Sequence, residues 1–222
     1  MDRTQDPRDD TQDAPRRRGR PPRAPAEAET RQRLIRSGLE QLTEKGFSAV
    51  GIDEILRHAG VPKGGFYHYF PTKAAFGREL VATYRVYFAA RLDRFLLDGS
   101  MDPLDRLRAF AQDAEAGMAR HGFRRGCLIG TLGQEMGALP EDFRADLIAV
   151  LEDWQARTAA CLAAAQAAGQ IGAQHDPVQL AAFFWTGWEG AVLRAKLERR
   201  PDPLRRFADG FFQLLELYGD RP

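Results

Sequence analysis

The stretch from residue 52 to residue 76 restricts the possible fold of this chain more than any other. Apolar residues in IDEILRHAG recur at helical spacing and predict a short helix with one buried face. These residues are Ile52, Ile55, Leu56 and Ala59. Gly60 follows where the chain must turn, a position that favours positive φ, and Pro62 suits the first turn of a second helix that begins near Lys63. Two short helices joined by a glycine turn predict a helix-turn-helix.

The second of these helices carries residue types that are suited to contact with DNA. Glycines in its first turn are poor helix formers, but they allow the backbone to approach a groove wall closely. Hydroxyl groups and ring nitrogens further along can reach phosphate oxygens. A lysine at the start of the next helix places its charge beside free N–H groups, which also favour phosphate. The candidate DNA-binding residues are Lys63, Gly64, Gly65, Phe66, Tyr67, His68 and Lys73.

Residues 1–26 form a polar tail that is rich in Pro, Asp and Arg, and we expect it to be disordered when free. Its segment APRRRGRPPRAP contains no acidic residue. Arg18 and Arg20 flank a glycine there, which resembles an AT-hook, an extended segment that enters the narrow minor groove of A·T-rich DNA. A tail that serves only solubility is the alternative.

Composition excludes several classes of protein. The chain has 222 residues, enough for a sizeable core, and its 32 basic and 31 acidic residues give a net charge of +1, which by itself does not indicate nucleic acid. No stretch approaches the ~20 apolar residues of a membrane span, and the N-terminus lacks a secretory signal, so we expect a cytosolic location without membrane association. Two cysteines, Cys127 and Cys161, cannot build a disulfide framework or a zinc site alone. We predict no metal and no cofactor.

The sequence after Pro71 is a series of helical patterns separated by Gly, Pro and Asp, with no convincing alternating strand. The expected helices span residues 72–97, 102–120, 127–136, 140–168, 176–200 and 203–218. The prediction is therefore an all-α fold of nine helices. Three form a helix-turn-helix head at residues 27–72, and six form a body at residues 73–222 for effector binding and dimerisation.

Residues 31–76 resemble the signature of the TetR family of bacterial transcriptional regulators. A similar run in that family ends in Tyr-x-x-Phe-x-x-Lys, and Tyr67, Phe70 and Lys73 stand at those positions. The resemblance implies a repressor that binds double-stranded DNA at a palindromic operator and leaves it when a small-molecule effector binds to the body. A packed helical hairpin without a role in DNA binding is the alternative.

One feature departs from the family pattern. Val50 and Gly51 stand where family members have Thr or Ser, so a hydroxyl cap and its phosphate contact are expected to be missing. Ser48 or a backbone N–H is the expected substitute.

The last two helices carry more apolar side chains than a small bundle can bury, and small residues such as Gly187, Gly190 and Ala191 allow helices to approach closely. The family resemblance implies that these two helices pack against their copies in a homodimer. Two heads related by a two-fold axis then read two half-sites. An apolar stripe buried entirely within one chain is the alternative.

Cys127 is the candidate sensor of the body. It follows Arg124, Arg125 and Gly126 at the expected start of a helix, where the helix dipole and two cations favour thiolate over thiol. A thiolate attacks oxidants and electron-poor alkenes. A buried cysteine that acts only as a small apolar residue is the alternative, and it is the expected role of Cys161.

The run from Gly126 to Gly130, Gly-Cys-Leu-Ile-Gly, is similar to that of a TetR-family branch whose repressors respond to reactive electrophiles or acrylate. Members of this branch also carry a late Trp-x-Gly-Ala-x-x-x-x-Lys run, which Trp188 to Lys196 matches, and the resemblance makes Lys196 a candidate partner of the oxidised cysteine. We also predict an effector pocket in the body, lined by aromatic side chains and a few polar groups. These candidates are Trp185, Trp188, Gln134, Glu135, Tyr84 and His121. For the two tryptophans, a place in the core is the alternative.

Two other classes of function compete with a ligand-released repressor. An effector-independent architectural DNA-binding protein would use the same head and tail but would not need a six-helix body. A thiol-dependent enzyme would need a base or a resolving residue beside Cys127, and the sequence contains neither a Cys-His-Asp arrangement nor C-x-x-C. We therefore predict that the protein is not an enzyme.

Overall fold

A computed structural model of the chain describes residues 25–217. Over that range the chain forms nine α-helices and one 3₁₀ turn and has no strand, which confirms the predicted all-α fold. The head consists of α1 (Pro25–Lys45), α2 (Ile52–Ala59) and α3 (Phe66–Tyr69). The body consists of α4 (Lys73–Leu96), α5 (Pro103–Ala119), α6 (Leu128–Gln134), α7 (Asp142–Ala167), α8 (Pro177–Glu198) and α9 (Asp202–Leu217). Arg18 and Arg20 of the predicted AT-hook lie outside the described residues.

Local sequence chemistry sets several helix ends. Gly60 closes α2 in the left-handed conformation, at φ 63°, as its position in the sequence predicts. Thr72 begins α4, where its hydroxyl accepts a hydrogen bond of 2.9 Å from the amide of Ala75. Asp176 does the same for α8, and Pro177 occupies the first turn.

The second helix of the helix-turn-helix differs from the prediction in its first turn. Lys63–Gly65 forms a 3₁₀ turn, and regular α-helix begins only at Phe66. Two consecutive glycines explain the difference, because glycine loses more backbone entropy than other residues when it enters an α-helix.

Helix α4 joins the head to the body. It contacts α1 in the head and packs along α5 and α7 in the body. Helices α7 and α8 pack extensively on each other and carry several of the large buried aromatic side chains, including Phe143, Trp154, Phe184 and Trp185. Among the described helices, none combines the length and the apolar character that a membrane crossing requires.

The packing of α8 on α9 depends on one small residue. A Cβ atom at Gly187 would lie 2.1 Å from the ring of Phe207, so only glycine permits this approach. The predicted close contact is confirmed at Gly187, whereas a Cβ at Gly190 would meet nothing within 4 Å. Most of the apolar stripe on both helices is buried within the chain, but Phe183 and Leu197 remain 52% and 72% exposed.

Candidate functional site

The head presents a compact polar surface around α3. Tyr67 is 64% exposed, and the side chains of Lys63 and His68 are exposed beside it. Lys63 forms an ion pair of 3.3 Å with Asp53, but both groups face solvent and the pair opens readily. Gly64 faces open space, so a groove wall can approach its backbone. These residues share one exposed surface of the head, and their contact with DNA remains a prediction.

Two of the predicted DNA-binding residues lie inside the head. Phe66 is completely buried, with its ring centroid 5.6 Å from that of Phe70 and 5.2 Å from that of Phe76, so its assignment to DNA contact is wrong. A Cβ at Gly65 would lie 2.8 Å from Cγ1 of Val61, so Gly65 serves close packing rather than approach to a groove.

Lys73 holds the loop that follows α1. Its ammonium donates a hydrogen bond of 2.6 Å to the carbonyl oxygen of Phe47 and lies 4.4 Å from the centre of the Phe47 ring. Burial lowers the pKa of Lys73, and the nearby carboxylate of Glu135 opposes that shift. Lys73 is therefore half-buried at the junction of head and body, and its contact with phosphate remains a prediction.

The departure at Val50 and Gly51 has the expected structural result. Val50 is fully buried, and Gly51 precedes α2 without a side-chain hydrogen bond to the free amides. The backbone N–H of Ser48, one of the expected substitutes, donates to Glu135.

A cavity of about 330 Å³ lies in the body and is bordered by Cys127 together with residues of α1, α4, α5 and α8. It brings together the predicted residues Tyr84, His121 and Trp188. A smaller cavity of about 60 Å³ is also bordered by Cys127, together with Gln134 and Lys196. Trp188 also borders a separate cavity of about 370 Å³ between α5 and α9.

Cys127 immediately precedes α6 and is buried. The N–H groups of Gly130 and Ile129 face its sulfur and lower its pKa, but burial and the nearby Glu189 raise it more. The net result is a pKa well above the ordinary value of a thiol. The surroundings of Cys127 in this fold therefore disfavour the predicted thiolate.

The two arginines expected to favour the thiolate are engaged elsewhere. Arg124 pairs with Glu44 at 3.4 Å, and Arg125 pairs with Glu40 at 3.2 Å, both on α1. Their charges are thus compensated by carboxylates that the local sequence around Cys127 does not show.

Glu189, on α8, is a site residue that the sequence-based reasoning missed. It borders both cavities at Cys127 together with that residue, and burial raises the pKa of its carboxyl group to about 7. Gly130 makes room for it, because a Cβ there would lie 2.1 Å from Oε2 of Glu189. The available sequence signal was a single carboxylate within the apolar run FFWTGWEGAV of the helix.

Tyr84 completes this group from α4. It borders the cavity of about 330 Å³ together with Cys127 and Glu189. Burial is the main cause that raises its pKa well above the ordinary value, and the proximity of Cys127 and Glu189 adds to the shift. Tyr84 therefore remains a neutral hydroxyl.

Other predicted effector residues have different positions. Trp185 is buried in the core, where its indole N–H donates to the hydroxyl of Thr158 at 2.9 Å, and it borders neither cavity at Cys127. The carboxylate of Glu135 accepts hydrogen bonds from the amides of Phe47, at 3.0 Å, and Ser48, at 2.7 Å. The assignments of Trp185 and Glu135 to the effector pocket are wrong.

Lys196 connects the smaller cavity to the head. Its ammonium donates to the carbonyl oxygen of Thr43 on α1 at 3.0 Å, and the amide of Gly126 donates to the same oxygen at 3.1 Å. Burial lowers the pKa of Lys196. The last turn of α1 is thus held by α8 and by the residue before Cys127.

Cys161 behaves as a core residue. It is buried on α7, its thiol donates to the carbonyl oxygen of Pro103 at 3.2 Å, and burial raises its pKa to about 11.

Comparison with known proteins gives consistent matches over both parts of the chain. Residues 34–80 match the family described as bacterial regulatory proteins, tetR family, and residues 103–211 match the tetracyclin repressor-like C-terminal domain. The transcriptional regulator AcuR of Cereibacter sphaeroides is 64% identical over 195 residues, covering 88% of this chain and 89% of that protein. The HTH-type transcriptional repressor NemR of Escherichia coli is 34% identical, with 80% and 89% covered. A crystal structure of regulatory protein TetR from Rhodobacter sphaeroides, 64% identical, superposes with a TM-score of 0.82 over 83% of this chain and 97% of that one.

Proposed function

The chain belongs to the tetR family of bacterial regulatory proteins, and we propose that it leaves its operator when a small electrophile or unsaturated carboxylate reacts at Cys127. It is a transcriptional repressor and not an enzyme. The observation that carries the proposal is the place of Cys127, between a ligand-sized cavity and the contacts that hold the head.

The proposed DNA surface is the exposed side of the 3₁₀ turn and α3. Lys63, Gly64, Tyr67 and His68 face solvent together there. Cationic and hydroxyl groups position a protein on phosphates, and an open glycine allows close approach of the backbone. Lys73 has donors left beyond its bond to Phe47 and is a further candidate for a phosphate contact.

We propose a homodimer through α8 and α9, as in the family. Val178, Phe183 and Leu197 on α8 are large apolar side chains that are more than half exposed in the single chain. A second copy related by a two-fold axis would cover them and would place two heads over the half-sites of a palindrome.

The dimensions of the cavity limit the effector. A volume of about 330 Å³ accommodates a small organic molecule. Trp188 contributes an apolar wall, and His121, Arg120 and Arg125 contribute cationic or polar groups at the same cavity. This mixture suits a short molecule with an apolar part and a carbonyl or carboxylate group. The run from Gly126 to Gly130 resembles that of electrophile-responsive and acrylate-responsive repressors, and this resemblance supports the same class of effector.

The route from Cys127 to the head is short. The preceding residue, Gly126, donates to the carbonyl oxygen of Thr43 on α1, and Lys196 donates to the same oxygen. At the other end of α6, Glu135 accepts hydrogen bonds from the loop after α1. A group added to the sulfur takes space in a packed site, moves α6, and thereby changes the orientation of α1 and the head.

Release follows if the altered orientation binds DNA less tightly. The two recognition helices of a dimer must enter successive major grooves roughly 34 Å apart, so a small rotation of each head suffices. The effector can shift the protein from the DNA-binding state to the altered state only as far as it binds the altered state more tightly.

Cysteine variants test the proposal. Operator binding is measured by fluorescence anisotropy before and after treatment with acrylate or N-ethylmaleimide. We expect wild type and Cys161→Ser to lose affinity on treatment, and Cys127→Ser to bind operator normally and to resist treatment. Equal release of Cys127→Ser and wild type would exclude a covalent response at Cys127.

A further inference from the structure

Three protonatable side chains meet at the wall of the cavity of about 330 Å³ that Cys127 borders. Cys127 precedes α6, Tyr84 lies on α4 and Glu189 lies on α8, and all three border the same cavity. Within residues 25–217, Glu189 forms no ion pair. A carboxyl group is thus placed against the only thiol of this cavity without a cation to compensate it.

The neutral state of Cys127 raises a chemical problem for any reaction at its sulfur. The thiolate is the nucleophile, and burial beside Glu189 disfavours it. Attack by a neutral thiol requires a base that removes the proton as the new bond forms. Such a base must lie close to the thiol, and Glu189 is the carboxyl group that borders both cavities together with Cys127.

We propose that Glu189 transfers the proton when Cys127 adds to an electron-poor alkene. The S–H proton passes to the Glu189 carboxylate as the bond from Sγ to the β-carbon forms. The π electron pair of the alkene moves to the α-carbon, and the protonated Glu189 then delivers the proton to that carbon. The product is a thioether at Cys127, Glu189 is again a carboxylate, and no other reactant is consumed. This inference deepens the proposed function and rests on it.

The carboxyl group has an acidity suited to this role. Burial raises the pKa of Glu189 to about 7, so that near neutral pH it is present both as an acceptor and as a donor of a proton. General acid-base groups are most effective when their pKa lies near the working pH. Tyr84, which remains a neutral hydroxyl, can donate a hydrogen bond to the sulfur as negative charge develops there.

Other charged groups near the cluster are directed to different partners. Arg91 pairs with Asp113 at 2.7 Å, and Lys196 donates to a carbonyl oxygen of α1. Arg125 and Glu40 pair with each other. The titratable groups that border the two cavities at Cys127 are Glu40, Tyr84, Tyr87, Arg91, Arg120, His121, Arg125, Glu189 and Lys196.

The test measures alkylation of the full-length protein by N-ethylmaleimide, a neutral probe, with intact-protein mass spectrometry between about pH 5.5 and 9. All variants carry Cys161→Ser so that only Cys127 reports. We expect the rate to rise through a midpoint near pH 7, the pKa of Glu189. Glu189→Gln should slow the reaction at neutral pH by about 100-fold. Glu152→Gln, which removes an exposed carboxylate of α7, should react like the parent.

Faster alkylation of Glu189→Gln would indicate a different role for the carboxylate. If Glu189 only keeps the thiol protonated through its negative charge, then Glu189→Gln will react faster than the parent. A faster or an unchanged rate overturns the proposal.

Gly130→Ala is an independent variant that retains the carboxyl group. Its methyl group would occupy the position of Oε2 of Glu189 and displace the carboxyl group from the thiol. We expect alkylation to be at least about tenfold slower, whereas an unchanged rate would contradict the proposal.

The same samples separate this inference from the proposed function, because alkylation is measured without DNA. If alkylation depends on Glu189 but the alkylated protein keeps its operator affinity, the proton-transfer role stands and the proposed release fails. If alkylation at Cys127 causes release but is independent of Glu189, the proposed function stands and the proton-transfer role fails.

Discussion

The carboxylate of Glu135, just after α6, accepts a hydrogen bond of 2.7 Å from the backbone amide of Ser48, in the loop after α1. Gly46 permits this contact, because a Cβ there would lie 1.8 Å from Oε1 of Glu135. Since Cys127 stands at the other end of the same seven-residue helix, α6 connects the thiol directly to the head.

Glu135→Ala should therefore weaken the communication between Cys127 and the operator. The variant leaves the amides of Phe47 and Ser48 without their acceptor, at a cost of about 1 kcal/mol in stability. We expect alkylation at Cys127 to reduce operator affinity less than in wild type. Anisotropy titrations before and after alkylation measure the ratio of the two operator dissociation constants. Glu141→Ala, which changes an exposed carboxylate, is the control. A ratio equal to that of wild type would show that Glu135 does not transmit the signal.

Glu189 should make stability depend on pH. Burial raises its pKa from 4.5 to about 7, so the folded chain binds this proton more tightly than the unfolded chain. Its contribution to the free energy of unfolding is complete below about pH 4.5 and is lost as the pH rises through about 7, a change of about 3 kcal/mol at most. Melting temperatures from circular dichroism should fall relative to those of Glu189→Gln between about pH 5 and 8. Parallel curves for the two proteins would contradict the raised pKa.

Substitutions at the neighbouring residues Phe66 and Tyr67 should affect different properties, stability for Phe66 and operator affinity for Tyr67. Phe66→Ala removes a fully buried ring and should cost about 3–5 kcal/mol of stability. Tyr67→Ala changes an exposed residue, so its melting temperature should match wild type while operator affinity falls. Thermal unfolding and anisotropy on the same samples check both expectations. Normal operator affinity of Tyr67→Ala would remove this residue from the DNA surface.

Lys63 and Lys73 should also differ. Lys63→Ala removes an exposed charge and should reduce the salt dependence of operator binding by about one phosphate contact per head, without loss of stability. Lys73→Ala removes the hydrogen bond to Phe47 as well, so we expect a lower melting temperature in addition to weaker binding. Operator titrations of both variants at several salt concentrations measure the salt dependence, and thermal unfolding measures the stability. An unchanged salt slope for both variants would exclude these lysines from the interface.

The polar tail gives a further prediction. Deletion of residues 1–24 leaves all of α1 in place, so folding and dimerisation should be retained. Affinity should fall most for operators flanked by A·T pairs, because Arg18 and Arg20 would no longer reach the minor groove. Equal affinities of the truncated and full-length proteins would identify the tail as a solubilising segment.

Helix positions were predictable because their signals are local. The turn at Gly60 and the start of α8 at Asp176-Pro177 follow from the conformational limits of single residues. The motif position of Phe66 favours a contact with DNA, but its spacing from Phe70 indicates burial. Phe66 and Phe70 are one helical turn apart, the spacing of a buried pair, and the structure places both in the core.

The chemistry of Cys127 was not predictable from its neighbours in sequence. Arg124 and Arg125 are adjacent in the chain, but their charges are compensated by carboxylates of α1, about 80 residues earlier. Glu189 lies 62 residues later in the chain, and only the tertiary fold brings its carboxyl group against Gly130, beside the thiol. Burial and tertiary neighbours set a pKa, and neither is visible in a local sequence pattern.

The position of Trp188 gives the molecule an optical probe of its own. Of three tryptophans, Trp154 and Trp185 lie in the core with their ring centroids 4.9 Å apart, whereas Trp188 borders the cavity at Cys127. A molecule that enters this cavity, or a group that adds to the sulfur, changes the polarity around one indole of the three. Intrinsic emission can therefore follow occupancy in real time in unlabelled protein, while anisotropy of a labelled operator follows release in the same cuvette.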